Sequence, residues 1–231
     1  MGYDKHQAQH EFTRWSESYD RCTLQWLLFG PAHRAIIAKI RRRCGERALR
    51  VLDVGCGTGI FAERIRQAFP RAEVVGIDLV AGMLTKGEAR WHRQSGTVFP
   101  VQADSERLPF DRGTFDVVTC ANSFHHYPHQ VRALSEMRRV LRPGGQLVLV
   151  DGYRDRPWGW LIYDVCVAWV EGAVHHASAA QVRQMMGVAG LQHVEQVVHR
   201  GPAPFLLTEA TAPEAHKVVT VAREAARSSP V

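Results

Sequence analysis

A glycine-rich turn at the end of an apolar run constrains the fold of this chain more than any other feature. The run Val51-Leu52-Asp53-Val54 continues directly into Gly55-Cys56-Gly57-Thr58-Gly59. Three glycines at alternate positions after such a run predict a strand that turns sharply into a helix and leaves its backbone open to a ligand. A second apolar run ends at Asp78, 23 residues after Gly55, close to the spacing at which a strand-end carboxylate meets ribose hydroxyls. Together these features predict a nucleotide-type site.

The spacing of the glycines separates two kinds of nucleotide site. Here it is G-x-G-x-G, whereas the dinucleotide fingerprint is G-x-G-x-x-G, in which a helix N-terminus receives the pyrophosphate. The chain also has no recognisable hydride-transfer constellation. The motif therefore disfavours an NAD-dependent oxidoreductase.

Length and composition are typical of one globular α/β domain. The chain has 231 residues, 45% of them hydrophobic and 23% charged, enough to bury a core without disulfides or metal staples. The cysteines are odd in number, widely separated and without a C-x-x-C pair, so neither a disulfide framework nor a zinc site is predicted. This cysteine pattern fits a reducing cytoplasm best, and no leader or targeting signal is visible. The cysteines are Cys22, Cys44, Cys56, Cys120 and Cys166.

Arginines give the chain an excess of positive charge. The net charge is +6, and a basic stretch runs from Arg34 to Arg50 through Arg41-Arg42-Arg43. Such a stretch can attract nucleic acid, anionic lipid or an acidic substrate. We favour the alternative, a solvated helix face whose last turn carries cations that the helix macrodipole stabilises.

Apolar strand-like runs alternate with helical patterns along the chain, which is the signature of βαβ units and a mostly parallel sheet. Ser178 is the predicted N-cap of a helix, and residues 201–204 are predicted to join the last two strands as a hairpin. A final helix is predicted from Pro213 to near Arg227. The predicted strands are 49–54, 73–78, 97–102, 115–121, 146–151, 193–199 and 205–211, and the other predicted helices are 60–69, 81–93, 130–141 and 179–189.

With these motifs, the chain resembles the class I S-adenosylmethionine-dependent methyltransferases, in the small-molecule branch similar to the ubiquinone and menaquinone biosynthesis enzymes. The resemblance implies an α/β fold, a Rossmann-like three-layer sandwich with a seven-stranded, mostly parallel sheet and an antiparallel last strand. It implies S-adenosyl-L-methionine as cofactor and S-adenosyl-L-homocysteine as product. Strand order extends it over residues 12–211, and its specific segments are 49–59, 73–84, 103–121 and 138–151.

The resemblance assigns the cofactor contacts mainly to strand ends. Asp53 either holds the glycine turn through backbone amides or reaches the methionine ammonium. Asp78 binds the ribose hydroxyls, unless it only caps the following helix. Asp104 accepts a hydrogen bond from the adenine amino group, with the Ser105 amide nearby. The remaining contacts are Gly55, Gly57 and Gly59, which keep the backbone bare, Leu79 and Met83, which sandwich the adenine, and Asn122 after the fourth strand.

The opening segment Phe12–Asp20 fits the pattern F-x-x-W-x-x-x-Y-D. In the branch that the chain resembles, this segment folds over the cofactor as a lid, and its tyrosine, here Tyr19, faces the cofactor. An ordinary amphipathic first helix is the alternative.

Histidines follow the fourth strand, where the resemblance opens the acceptor pocket. His125 and His126 are candidate general bases, because imidazole titrates near neutral pH. Histidines are also common at this position in relatives with different acceptors, so a role without catalysis stays open. Tyr153 and the pair His175-His176 are further candidates that the sequence does not rank. No metal is predicted.

An aromatic segment, Trp158–Val170, stands where this branch inserts a substrate-covering segment. Its thirteen residues are too few to span a bilayer. Three tryptophans and a tyrosine can line a pocket for a hydrophobic, planar or cationic acceptor. A helix packed on the sheet or in a dimer interface explains the segment equally well.

The sequence therefore predicts methyl transfer to a small molecule with a hydrophobic or aromatic portion. It predicts a single cytoplasmic domain with no membrane span, and leaves monomer and homodimer open. The expected parts are an N-terminal helical lid (1–45), a cofactor-binding core (46–151), a substrate-covering insertion (152–178), and a C-terminal helix, strand pair and tail (179–231).

Two rival functions follow from the same residues. A nucleic-acid methyltransferase is supported by the positive charge, but Asn122-Ser123-Phe124-His125 stands where an Asn-Pro-Pro-Tyr-like tetrapeptide is expected, and no Pro-Cys nucleophile pair occurs. A non-catalytic cofactor-binding regulator or scaffold is the second rival. Intact glycines with Asp78 and Asp104 disfavour it.

Overall fold

The computed structural model describes residues 23–93, 98–167 and 174–215. Seven strands in this part of the chain form one sheet. In chain order they are β1 Arg50–Val54, β2 Glu73–Asp78, β3 Val98–Gln102, β4 Phe115–Ala121, β5 Leu141–Gly152, β6 Gln192–His199 and β7 Phe205–Thr211.

The sheet has the spatial order β3-β2-β1-β4-β5-β7-β6. Strands β1 to β5 pair in parallel, whereas β7 pairs antiparallel with both β5 and β6. The predicted seven-stranded sheet with an antiparallel last strand is therefore confirmed. The chain order reverses between β1 and β4, and such a switch point in a parallel sheet opens a crevice at the carboxyl ends of the strands.

Helices cover both faces of the sheet. They are α1 Thr23–Cys44, α2 Ile60–Ala68, α3 Ala81–Lys86, α4 Glu88–Arg93, α5 Gln130–Val140, α6 Pro157–Trp160, which continues as a π-helix over Leu161–Val167, and α7 Ala179–Val188. A short 3-10 helix covers Phe124–His126.

Each face of the sheet has its own hydrophobic core. Along β1, Leu52 and Val54 lie in the core that includes Leu134 of α5 and Met186 of α7. Val51 lies in the opposite core, with residues of α1, α2 and α4. Because successive side chains of a strand alternate between faces, one short strand supplies both cores and the result is a three-layer sandwich.

Part of the predicted N-terminal lid belongs to the core that also contains Val51. Helix α1 packs against β4, β5 and β7, and Ala32, Ile36 and Ile40 are fully or almost fully buried. The lid motif itself, Phe12–Asp20 with Tyr19, lies outside the described residues. Most of the predicted C-terminal helix, from residue 216 onward, lies outside them as well.

Two elements differ from prediction by more than one residue. The helix expected over 81–93 is two helices, broken at Gly87, where a side chain would collide with the Thr58 carbonyl at 2.5 Å. Strand β5 begins at Leu141, which pairs with Phe115, whereas the sequence predicts a start at Gln146. Residues 142–145 form an irregularity in the β4–β5 pairing, and Gly144 adopts a φ of 68° there.

Other local predictions are confirmed. Ser178 is the N-cap of α7, and its Oγ accepts a hydrogen bond from the Gln181 amide at 3.2 Å. The Gln181 side chain accepts in return from the Ser178 amide, which completes a capping box.

None of the helices in the described residues combines the length and the apolar character that crossing a membrane requires.

Candidate functional site

The glycine turn follows the carboxyl end of β1, one of the two strands at the switch point, and contacts the end of β2. The amides of Gly55 and Cys56 both donate to the Ile77 carbonyl, at 2.9 and 2.8 Å. The Gly57 amide donates to Asp78 Oδ2 at 2.8 Å. The last residues of β2 therefore fix the shape of the turn.

The three glycines of the turn have different surroundings. All have positive φ, which favours glycine, at 73° for Gly55, 55° for Gly57 and 79° for Gly59. A methyl group at Gly55 would overlap Ser123, and one at Gly59 would overlap the Trp91 ring. At Gly57 it would meet no atom of the described residues within 4 Å. Space for a ligand therefore lies at Gly57, while the other two glycines make room for side chains of the protein.

Asp78 connects the turn to the helix that follows β2. Its Oδ1 accepts a hydrogen bond from the Val80 amide at 2.9 Å, while Oδ2 holds Gly57. The N-cap of α3 is Val80, so Asp78 is not the cap of that helix. Burial raises the pKa of the Asp78 carboxyl, and the hydrogen bonds from backbone amides partly oppose this.

Asp53 lies beneath the turn. Its carboxyl is in the sheet, where Thr119 Oγ1 of the neighbouring strand β4 donates to Asp53 Oδ1 at 2.8 Å. Only 2% of the residue is exposed. The pKa of Asp53 is raised to about 7. Burial is the largest cause, the hydrogen bond from Thr119 opposes it, and the charge of Asp78 adds to it. The Asp53 carboxyl thus accepts a hydrogen bond from a side chain of β4.

The segment predicted to bind adenine lies beside the end of β2. The Ala103 amide donates to the Asp78 carbonyl at 3.0 Å, which brings Asp104 and Ser105 next to the turn. Asp104 Oδ1 accepts from the Glu106 amide at 2.9 Å, so this carboxylate shapes its own loop. In the same region Leu79 is half-buried and Met83 is buried.

The chain after β4 leads from the glycine turn toward the carboxyl ends of β4 and β5. Asn122 has a φ of 55°, uncommon for a residue with a side chain and often seen where backbone strain serves a function. Its amide donates to the Val150 carbonyl at 2.9 Å. Ser123 Oγ donates to the Val54 carbonyl at 3.1 Å and lies 2.9 Å from the Tyr127 hydroxyl. Neither Ser123 nor Tyr127 had a predicted role.

At the carboxyl ends of β4 and β5, three side chains form what we call the His-Asp-His cluster: His125, Asp151 and His176. His125 Nδ1 lies 2.6 Å from Asp151 Oδ1, which also accepts from the Gly152 amide at 2.8 Å. His176 Nδ1 lies 3.9 Å from the same oxygen. Burial would raise the pKa of Asp151, but His125, His176 and the Gly152 amide together keep it below its ordinary value.

The other predicted base candidates lie differently. The His126 ring stands 4.0 Å from the His125 ring, and burial, then the charges of His125 and His176, hold the pKa of His126 well below its ordinary value. Tyr153 packs against the core, and its amide donates to the Pro204 carbonyl. His125 is thus a member of the cluster and His126 lies beside it, whereas Tyr153 contacts the core.

The aromatic segment turns one tyrosine inward and two tryptophans outward. Trp158 and Trp160 are 57% and 50% exposed, so these side chains are not packed in the core. Tyr163 lies against Gly152, where a larger residue would overlap its ring, and its ring centroid is 5.1 Å from that of His176. Tyr163, the tyrosine of the segment predicted to line a pocket, and Asp151, which had no predicted role, therefore belong to this region. Residues 168–173 lie outside the described residues.

Several arginines of the basic stretch are paired with carboxylates. Arg41 pairs with Glu46 at 3.0 Å, and Arg42 with Glu209 at 3.2 Å. Further pairs join Arg47 to Asp116 and Arg50 to Glu73. This pairing agrees with a solvated helix face rather than an open cationic surface.

Comparisons with known proteins agree with this architecture. Residues 51–145 match the family described as a methyltransferase domain. A demethylmenaquinone methyltransferase from Deinococcus radiodurans is 40% identical over 116 residues, 48% of this chain and 48% of that protein. A phthiotriol/phenolphthiotriol dimycocerosates methyltransferase from Mycobacterium leprae is 42% identical over 102 residues, 44% of this chain and 37% of that protein. The chain therefore spans about half the length, or less, of these curated relatives.

A solved structure shows the same fold over nearly the whole chain. The magnesium protoporphyrin IX methyltransferase of Synechocystis PCC 6803, with bound SAH, is similar with a TM-score of 0.74. The similarity covers 90% of this chain and 99% of that one, at 16% identity. Residues 51–145 are therefore similar to a methyltransferase domain, and the relatives and the strand order agree with an S-adenosylmethionine-dependent enzyme.

Proposed function

We propose that this protein transfers a methyl group from S-adenosyl-L-methionine to a small-molecule acceptor with a hydrophobic or aromatic portion, leaving S-adenosyl-L-homocysteine. One observation carries the proposal. At the switch point of the sheet, the space at Gly57 lies beside the Asp78 carboxylate. A bare backbone next to a strand-end carboxylate suits the ribose and methionine parts of this cofactor.

The chain's own residues would do the binding and the positioning. Asp78 would hold the ribose hydroxyls, and Gly57 would let the backbone approach the cofactor. Asp104 and Ser105, with Leu79 and Met83, would receive the adenine. We retain Gly55 and Gly59 as parts of the turn, Asp53 as its buried support, Asn122 as a contact on the methionine side and Tyr19 as a lid residue.

Little further machinery is needed, because the bound cofactor supplies a methyl group already activated for transfer to a nucleophile. The protein has to hold the acceptor in line with that methyl group and exclude water. The acceptor would lie beyond the ends of β4 and β5, where the segment 122–127 leads from the turn to the His-Asp-His cluster. Its nucleophilic atom would then face His125 and His126, the base candidates that the structure brings to the cluster.

The named relatives support a small-molecule acceptor. One is named for demethylmenaquinone and the other for phthiotriol and phenolphthiotriol dimycocerosates. The paired arginines give no support to nucleic acid as the acceptor. Cys44, Cys56 and Cys120 are free thiols, as expected in a reducing compartment, and we place the reaction in the cytoplasm.

The test begins with calorimetric titration of the purified chain with S-adenosyl-L-methionine, S-adenosyl-L-homocysteine and NAD. We expect micromolar binding of the first two and none of NAD. Turnover is then followed as release of S-adenosyl-L-homocysteine with phenols, quinols, amines and thiols as acceptors, and with an oligonucleotide for comparison. Binding without turnover on any acceptor would favour the scaffold function, and turnover on the oligonucleotide alone would contradict the proposed acceptor class.

A further inference from the structure

The His-Asp-His cluster has the composition of a metal site. His125, Asp151 and His176 each offer one ligand atom, and these atoms all lie within 4.8 Å of one another. Each residue is less than a tenth exposed, at 6%, 7% and 8%. We propose that this cluster binds one divalent transition-metal ion, with zinc as the ion that its ligands fit best.

The ligand types support this choice. Two imidazoles and one carboxylate are the protein ligands of one class of catalytic zinc site, and of the facial triad that holds non-haem iron. Both kinds of site leave coordination positions open for water or substrate. Zinc needs no particular geometry from its d electrons, so it tolerates three ligands that come from a short helix, a strand end and a loop.

The distances require only a small adjustment. An ion at about 2.0 to 2.2 Å from each ligand atom holds those atoms about 3 to 4 Å apart. His176 Nδ1 and Asp151 Oδ1 are already 3.9 Å apart. His125 Nδ1 and Asp151 Oδ1, at 2.6 Å, would have to separate by less than about 1 Å for an ion to replace the proton between them.

The backbone around the cluster is well fixed. The His175 amide donates to the His125 carbonyl at 2.8 Å, which ties the segment that carries His176 to the 3-10 helix. Gln130 Nε2 donates to the carbonyls of Phe124 and His175, at 3.2 and 2.9 Å. The Gly152 amide orients the Asp151 carboxylate. A hydrogen bond to a ligand group, like that from Gly152, orients the ligand and tunes a metal site, while the other bonds fix the backbone that carries the two histidines.

The role of the ion in the reaction rests on the proposed function. A zinc ion at the acceptor end of the crevice would bind an acceptor hydroxyl and lower its pKa, as such ions do for bound water. With the ion bound, His125 would serve as a metal ligand, and His126 would remain the base candidate. This favours an oxygen acceptor, a phenol or an enol. Binding of the ion itself does not depend on methyl transfer, so the two proposals fail separately.

The test measures binding of the metal ion itself, without an acceptor. The full chain is stripped with a chelator and titrated with Zn²⁺ by calorimetry, and Co²⁺ serves as a visible spectroscopic probe of the ligands. His176→Gln removes one ligand, Asp151→Asn weakens another at nearly constant volume, and His92→Gln is the matched control on an exposed face of α4. Thermal unfolding and titration with S-adenosyl-L-methionine show whether each variant is folded.

We expect one Zn²⁺ per chain with micromolar or tighter affinity in the wild type and in His92→Gln. The His176→Gln variant should bind Zn²⁺ at least about 100-fold more weakly, a loss beyond that typical of a residue that only supports a ligand. Absence of Zn²⁺ binding by the wild type would overturn the proposal. So would equal Zn²⁺ affinity in the wild type and in both folded cluster variants. His125 and Asp151 would then be a hydrogen-bonded pair without an ion. If the wild type bound Zn²⁺ but not S-adenosyl-L-methionine, the result would count against the proposed function instead.

Discussion

Asp78 Oδ2 accepts the backbone N–H of Gly57 at 2.8 Å, so the carboxylate proposed to bind the ribose already holds the glycine turn. Its other oxygen holds the Val80 amide at the start of α3. A change to alanine would leave two backbone amides without this acceptor. A test of cofactor binding at this position therefore needs a residue that keeps an oxygen in place.

Asp78→Asn is that change. It keeps the volume and one acceptor oxygen, so it can hold one of the two backbone amides, while its NH₂ group donates and faces the other. It also removes the charge, and we expect affinity for S-adenosyl-L-methionine to fall by about 1.5 to 3 kcal/mol, the usual worth of hydrogen bonds to a charged group. Calorimetric titration measures the loss. Glu73→Gln, at the opposite end of β2, where Glu73 pairs with Arg50, is the control and should bind as the wild type does. Equal affinities in the two folded variants would remove Asp78 from the site.

Gly57 and Gly59 should respond in opposite ways to alanine. Gly57→Ala places its methyl group in open space, so the protein should fold, with about 1 to 2 kcal/mol of backbone strain, but lose cofactor affinity. Gly59→Ala drives a methyl group into the Trp91 ring and should lower the unfolding temperature much more. Thermal unfolding and cofactor titration separate the two effects.

A second substitution tests whether overlap with the Trp91 ring is what destabilises Gly59→Ala. Trp91→Leu in the Gly59→Ala background removes the ring that the methyl group meets, and should recover part of the lost stability. If Gly57→Ala were the less stable of the two single variants, overlap with the Trp91 ring would not be what distinguishes the two glycines.

The regular elements of this fold could be predicted because each has a local signal. The bounds of β2, β4 and β7 match their predictions, since β-branched runs end there at polar or turn residues. Gly87 carried no such signal within a helical pattern, and the Thr58 carbonyl, which leaves no room for a side chain there, lies in another part of the chain. The sheet order came from the resemblance, because strand patterns alone do not specify neighbours.

The site was predictable where one segment supplies it and unpredictable where distant segments meet. The glycine turn and Asp78 follow from one βαβ unit. The contact between His125 and Asp151 spans 26 positions, and His176 comes from a third segment, so their meeting depends on how β4, β5 and the following loop pack. Residue type made histidines candidates, but only the packing makes them a cluster.

Asp53 should make the cofactor-free protein less stable as pH rises. Its pKa is raised to about 7 in the folded chain, mainly by burial, so between about pH 4 and 7 the folded state binds more protons than the unfolded state. Stability is then lost across that window, by up to about 4 kcal/mol for a shift of three units. Asp53→Asn should remove this slope in chemical unfolding at pH 5, 6 and 8, whereas Glu88→Gln, at an exposed site, should keep it. The same slope in Asp53→Asn would show that another group causes it.

His33 should make the protein sensitive to acid. Arg64 Nη1 donates to His33 Nδ1 at 2.8 Å, so the ring must be neutral, and the ring also stacks on Phe61. Burial, and then the charge of Arg64, lower the pKa of His33 to about 3. Since the unfolded chain takes up this proton near pH 6.5, stability is complete above that pH and falls as pH drops toward 3, by about 2 kcal/mol at pH 5. His33→Gln keeps an acceptor for Arg64 and should lose less stability between pH 7.5 and 5 than the wild type in urea unfolding. His92→Gln, with an exposed side chain, should keep the full loss, and equal losses in all three proteins would assign the acid sensitivity to other groups.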